Sequence, residues 1–140
     1  MLADYAAVAD GKLTIVGGGW SITGPAPHPF GIALKIEVPW DQAEMRHTMR
    51  LELLDADGRP VSIPAPNGEQ PLVIHGEFAA GRPPELKPGT PLDAVVAINF
   101  TPPPPIPPGG RYEWRLYIDD ETHEDWRVAF STRPQAAQPA

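Results

Sequence analysis

Apolar and polar residues alternate along most of this chain, and a period of two is what a strand with one buried face produces. Ile32, Leu34, Ile36 and Val38 share one parity, with Lys35 and Glu37 on the other. Met49, Leu51 and Leu53 alternate with Arg50 and Glu52; Leu72, Ile74 and Phe78 oppose His75 and Glu77. The longest stripe is Leu92, Ala94, Val96, Ile98 and Phe100, opposite Asp93 and Asn99. Tyr112, Trp114, Leu116 and Ile118 alternate with Glu113 and Arg115, and Trp126, Val128 and Phe130 follow. Two further strands open the chain, Leu2 to Ala9 and Lys12 to Val16, separated by Asp10-Gly11, a pair suited to the positive φ angles of a type I′ hairpin turn. Past Gly17-Gly18-Gly19 the apolar parity shifts to Trp20 and Ile22, the mark of a bulge or sharp bend. These eight strands, at short and regular spacing, predict an all-β fold: a single antiparallel β-sandwich, immunoglobulin-like or C2-like, of Greek-key type. Only the window from Trp40 to His47 suits a helical turn.

Composition changes this picture by raising a conflict. Of 140 residues, 20 are Pro and 13 are Gly, close to the range of low-complexity chains. The prolines, however, fall outside every stripe and cluster at 25–29, 60–71, 83–91 and 102–108, where a missing N–H breaks no ladder bond. They read as loop punctuation. The densest run, Thr101 to Pro108, predicts an extended polyproline II strap that crosses from one sheet or end to the other. One sandwich domain is expected over 1–133, followed by a short polar tail over 134–140.

Several short motifs carry a resemblance. Leu2-Ala3-Asp4, Asp10-Gly11-Lys12-Leu13, Gly17-Gly18-Gly19-Trp20, Val38-Pro39-Trp40 and Leu54-Asp55-Ala56-Asp57-Gly58 make the chain similar to an uncharacterised family of small bacterial all-β proteins, a domain of unknown function. The resemblance spans nearly the whole chain. It implies the fold and carries no activity with it.

Charge and residue types exclude more than they suggest. The chain has no Cys, hence no disulfide framework, thiol nucleophile or thiolate zinc site. The formal net charge is -7, with no Lys/Arg run, which argues against binding nucleic acid. No apolar run reaches membrane-spanning length, and the start lacks a signal-peptide pattern, so a cytoplasmic location is expected.

The candidate chemistry is confined to a few places. Asp119, Asp120, Glu121, Glu124 and Asp125 crowd carboxylates into one hairpin loop, as a calcium site at the end of a C2-like sandwich would. Asp41, Asp55 and Asp57 would join only if their loops shared that end. The spacing lacks the alternation of an EF-hand and no Gly supplies its turn, so the plainer reading is a solvated tip. His28, His47, His75 and His123 are scattered, without paired spacing, and are expected at surface or edge positions. Ser21, Ser62 and Ser131 lie in no nucleophile elbow. The triple glycine lacks the Lys-Ser/Thr and helix of a phosphate loop. Trp114 and Trp126 share the core parity, whereas Trp20 and Trp40 sit at strand ends; core or end-capping is the plainer reading of both, and a half-exposed ring there that anchors a partner or stacks on a sugar is the other. Pro104 and Pro105 are the residues a proline-reading partner would contact.

No constellation of an enzyme emerges and no cofactor is called for. The expected role is a non-enzymatic structural or interaction protein that pairs with a second copy or another protein through its strand edges. The alternative is a ligand-binding module, for calcium at 119–125 or for a small sugar or apolar ligand near Trp20 and Trp40.

Overall fold

Strands form along each alternating stretch of the chain, and the computed structural model describes residues 1–136. The first strands are β1 (Leu2–Ala3), β2 (Tyr5–Ala9), β3 (Lys12–Val16) and β4 (Ile22–Thr23). Then come β5 (Phe30–Val38), β6 (His47–Asp55), β7 (Ser62–Ala65), β8 (Gly68–Pro71) and β9 (Val73–Phe78). The last are β10 (Leu92–Phe100), β11 (Arg111–Ile118) and β12 (Arg127–Thr132). The one helical element among the described residues is a 3₁₀ turn, Trp40–Gln42, inside the window marked for it. Among the described residues no helix is long and apolar enough to cross a membrane.

Two sheets face each other. One has the order β1-β5-β10, the other β4-β12-β11-β6-β9. Its nine-residue antiparallel register, Phe30↔Phe100 to Val38↔Leu92, makes β5–β10 the longest ladder. Among the described residues every strand pairing is antiparallel except β4 with β12, which is parallel and two residues long. The facing parities interdigitate into the larger of two core clusters: Leu2, Phe30, Ile32 and Phe100 from the first sheet, Met49, Leu51, Leu53, Trp114, Leu116 and Phe130 from the second; Val38, Ala80, Leu92 and Ala94 form the smaller one. Phe30 stacks on Phe100 at 4.7 Å and Phe100 on Trp114 at 5.4 Å, with Trp20 edge-on to Phe30 and Phe130. Offset stacks and edge contacts are the favoured geometries of aromatic rings and add to the energy of burying them.

The Tyr112 side chain, buried near the start of β11, folds back so that its hydroxyl donates to the Pro107 carbonyl at 2.9 Å. Gly110 permits this, because a Cβ there would meet the Tyr112 hydroxyl at 2.5 Å. The same Pro107 carbonyl accepts a bond from Thr132 Oγ1 at 2.9 Å, tying the end of the proline segment to β12.

Several expectations need correction. The eight strands become twelve. Leu2 to Ala9 is divided at Asp4: β1 joins β5, while β2 pairs with β3 through a two-residue turn in which Asp10 and Gly11 both have positive φ. The triple glycine is a crossing point between sheets, held by Gly19 N–H to the Leu2 carbonyl, and the parity shift marks the change of sheet. The β7–β8 hairpin was hidden within a proline cluster, and it places Pro64 and Pro71 inside strands. Both survive because this two-stranded ribbon is all edge, where a missing N–H can face solvent. The 102–108 segment does join β10 of one sheet to β11 of the other. It is not a free polyproline strap: Ile106 N–H bonds back to the Pro104 carbonyl, and the Ile106 side chain enters the core. Of the expected tail, Pro134 to Ala136 carry no regular structure and 137–140 lie outside the described residues.

Candidate ligand cleft between the sheets

The two sheets are closed along one flank for only part of their length. Strand β1 covers β5 at Gly31 and Ile32, and β4 covers β12 at Ser131 and Thr132. Beyond these short strands the sheets part, and a cleft runs along β5 as three contiguous hollows of about 220, 430 and 390 Å³. Its walls are Leu34 and Ile36 of β5, Leu116 and Ile118 of β11, Val128 of β12, and Trp126 just before β12. Leu34, Ile36, Ile118, Trp126 and Val128 are only half-buried, although their parity is that of the core. Around the mouth stand Lys35, Glu37, Glu121, Asp125 and Arg127. Lys35 is paired with Asp93 at 3.6 Å, and Arg127 with Glu113 at 3.6 Å. Glu37, Glu121 and Asp125 form no ion pair among the described residues.

One end of the cleft carries a polar pair. His47, expected at a surface or edge position, is 6% exposed, opens β6 and stacks on Phe78 at 5.3 Å. Its Nδ1 lies 2.7 Å from the Asp119 carboxylate, which also accepts from the Thr48 N–H at 3.0 Å. These two donors, the imidazole first, hold the Asp119 carboxyl below the ordinary carboxylate range. An ionised carboxylate only accepts, so Nδ1 carries the proton, and Nε2 is left buried without a hydrogen-bond partner. A carboxylate that fixes one histidine nitrogen while the other is free is the arrangement of many metal-ligating and proton-transferring histidines. Here it lacks the third member: among the described residues, no group of three His, Asp or Glu side chains is placed to hold a metal ion.

The expected site residues are dispersed. The acidic loop does not gather around a point, because its turn gives Asp119 and Asp120 positive φ and sends them to different partners. Asp119 meets His47, Asp120 meets Arg50 Nη1 at 2.8 Å, and Glu124 stands 4.0 Å from Arg127. Asp55 and Asp57 belong to the turn at the far end of β6, where Asp55 Oδ1 accepts from the Asp57 and Arg59 N–H groups. Trp20 and Trp40 cannot share a ligand, since Trp20 packs on Phe30 at the start of β5 and Trp40 lies past its last residue, Val38. Trp40 is also covered, with the Arg82 guanidinium 4.3 Å over its ring. Pro104 is buried beside Trp20 and Ile106 and is closed to a partner, while Pro105 is exposed. His28 bonds Thr23 at 3.0 Å, His75 is exposed on β9, and His123 lies edge-on to Trp126 at 4.4 Å.

The cleft itself was not legible in the sequence. Leu34, Ile36, Ile118 and Trp126 have the alternation of ordinary core positions, and they are left partly open because β1 and β4 cover the flank over only two residues each. A search of the curated proteins and a search of the solved structures return no match. The model of DUF6941, a family of unknown function, matches residues 1–130, and the chain belongs to that family, an uncharacterised one as expected.

Proposed function

We propose that this protein is a non-catalytic β-sandwich that acts through protein contacts and self-associates through the β2–β3 hairpin. The observation that carries the reading is the hairpin's surface. Tyr5, Val8, Ile15 and Val16 are exposed, the last by 53%, and β3 has no second strand partner among the described residues. Lys12-Leu13-Thr14-Ile15-Val16 has high strand propensity and an open row of backbone donors and acceptors. Two such edges, related by a two-fold axis, pair antiparallel into a four-stranded sheet in which each copy supplies the same patch. The other edge of the hairpin is unavailable, because Asn99 holds Ala6 from both sides, Nδ2 to its carbonyl at 2.7 Å and Oδ1 from its N–H at 3.1 Å.

An immunoglobulin-like arrangement belongs to the same proposal. The neighbour orders β1-β5-β10 and β12-β11-β6-β9 correspond to A-B-E and G-F-C-C′, and the Tyr112 bond to Pro107 corresponds to the tyrosine corner of such domains. Folds of this kind serve many recognition roles, so function rests on the surface and not on the fold. The cytoplasmic setting expected from the sequence is retained. Multi-angle light scattering on the full chain tests the reading. A dimer at micromolar concentration is expected, with Val16→Lys monomeric at an unchanged melting temperature. A wild-type monomer at the highest soluble concentration would reject it.

A further inference from the structure

We propose that the open flank of the sandwich binds an extended, basic peptide segment of another protein, which adds to β5 as a strand. The backbone provides the first argument. Ala33 makes both its bonds at this edge with Met1, donating its N–H to the Met1 carbonyl and accepting from the Met1 nitrogen, each at 2.9 Å. Strand residues two apart present their N–H and C=O to the same edge. Lys35 and Glu37 therefore present theirs outward, where β5 has no further strand beside it among the described residues. That is a free template, continuous with the line already occupied by β1.

The cleft provides the second argument. A strand added beside Leu34–Val38 would turn every other side chain between the sheets, over Ile36, Ile118 and Trp126. At about 3.3 Å per residue, the uncovered stretch accepts about five residues. A small compact ligand would leave such an elongated slot, and its backbone lip, unused. Charge selects the remaining side chains. The mouth's two cations are committed to Asp93 and Glu113, whereas Glu37, Glu121 and Asp125 are unpaired among the described residues. Lysine or arginine on the outward-facing positions of the segment complements them, and acidic residues there are repelled.

The test uses a fluorescein-labelled peptide of alternating valine and lysine and the full-length chain. Anisotropy should rise and saturate, and the Lys35 and Glu37 amides should gain protection from hydrogen exchange. Three changes should each weaken binding by about ten-fold or more: Trp126→Ala in the protein, glutamate for lysine in the peptide, and N-methylation of alternate peptide nitrogens. The peptide variants keep the result independent of any folding defect in Trp126→Ala. Val16→Lys should bind normally, which separates this proposal from self-association. No saturable binding, or equal binding of the N-methylated peptide, would overturn it.

Discussion

Trp114 is 1% exposed and central to the core, yet its indole Nε1 has no hydrogen-bond partner. An unmet buried donor costs about 1–3 kcal/mol, which offsets part of the ring's packing gain. Trp114→Ala should cost about 3–5 kcal/mol by leaving a cavity. Trp114→Phe keeps the stack on Phe100 and removes the unmet N–H, so in urea unfolding it should lose much less than Trp114→Ala. Equal losses would show that volume alone matters there. Tyr112→Phe removes the bond to Pro107 and should cost about 1 kcal/mol, a fall of a few degrees in Tm. Asp119 makes a pH prediction. Its carboxyl is held down by His47 and Thr48, so its ionised form stabilises the fold above the ordinary value of 3.8. That contribution disappears as the pH falls below this value, through the depressed folded value. In His47→Phe, the Asp119 carbon resonance should titrate at higher pH than in wild type; an unshifted titration would mean that the imidazole does not set it. At this scale the sequence shows five acids in one loop, which reads most plainly as a solvated tip; the turn that sends Asp119 and Asp120 to different partners depends on their backbone conformation and is not visible in it.

Among elements, the β2–β3 hairpin stands apart from the two large sheets. It forms its own two-stranded sheet, and the Asn99 side chain is its polar link to β10. Two-stranded ribbons are marginal by themselves. Asn99→Ala should therefore accelerate hydrogen exchange across β2 and β3 while β5–β10 remains protected; uniform exchange would show that the hairpin does not open separately. Gly31 is part of this latch, because a Cβ there would lie 2.5 Å from the Asn99 Oδ1 and 3.2 Å from the Ala6 nitrogen. The hairpin turn was readable from Asp10-Gly11, and so was every strand with an apolar stripe. The β7–β8 hairpin was not, since β8 is exposed at all four residues and has no buried face to impose alternation.

For the whole molecule, alternation settled the class and left the assembly open. Which strands neighbour each other is fixed by contacts far apart in sequence, such as β1 with β5 and β4 with β12. The cleft arises where these two short strands end. The parallel pairing of β4 with β12 has a mechanical consequence. One strand lies early in the chain and the other late, so tension drawn through the chain pulls them in opposite directions along their common axis. The two bonds joining them, Ser131 N–H to Ser21 and Arg133 N–H to Thr23, both at 2.9 Å, would then be sheared together instead of being unzipped in turn. Small as it is, this clasp resists with both bonds loaded together once the tension has passed the strands β1 to β3 that precede it.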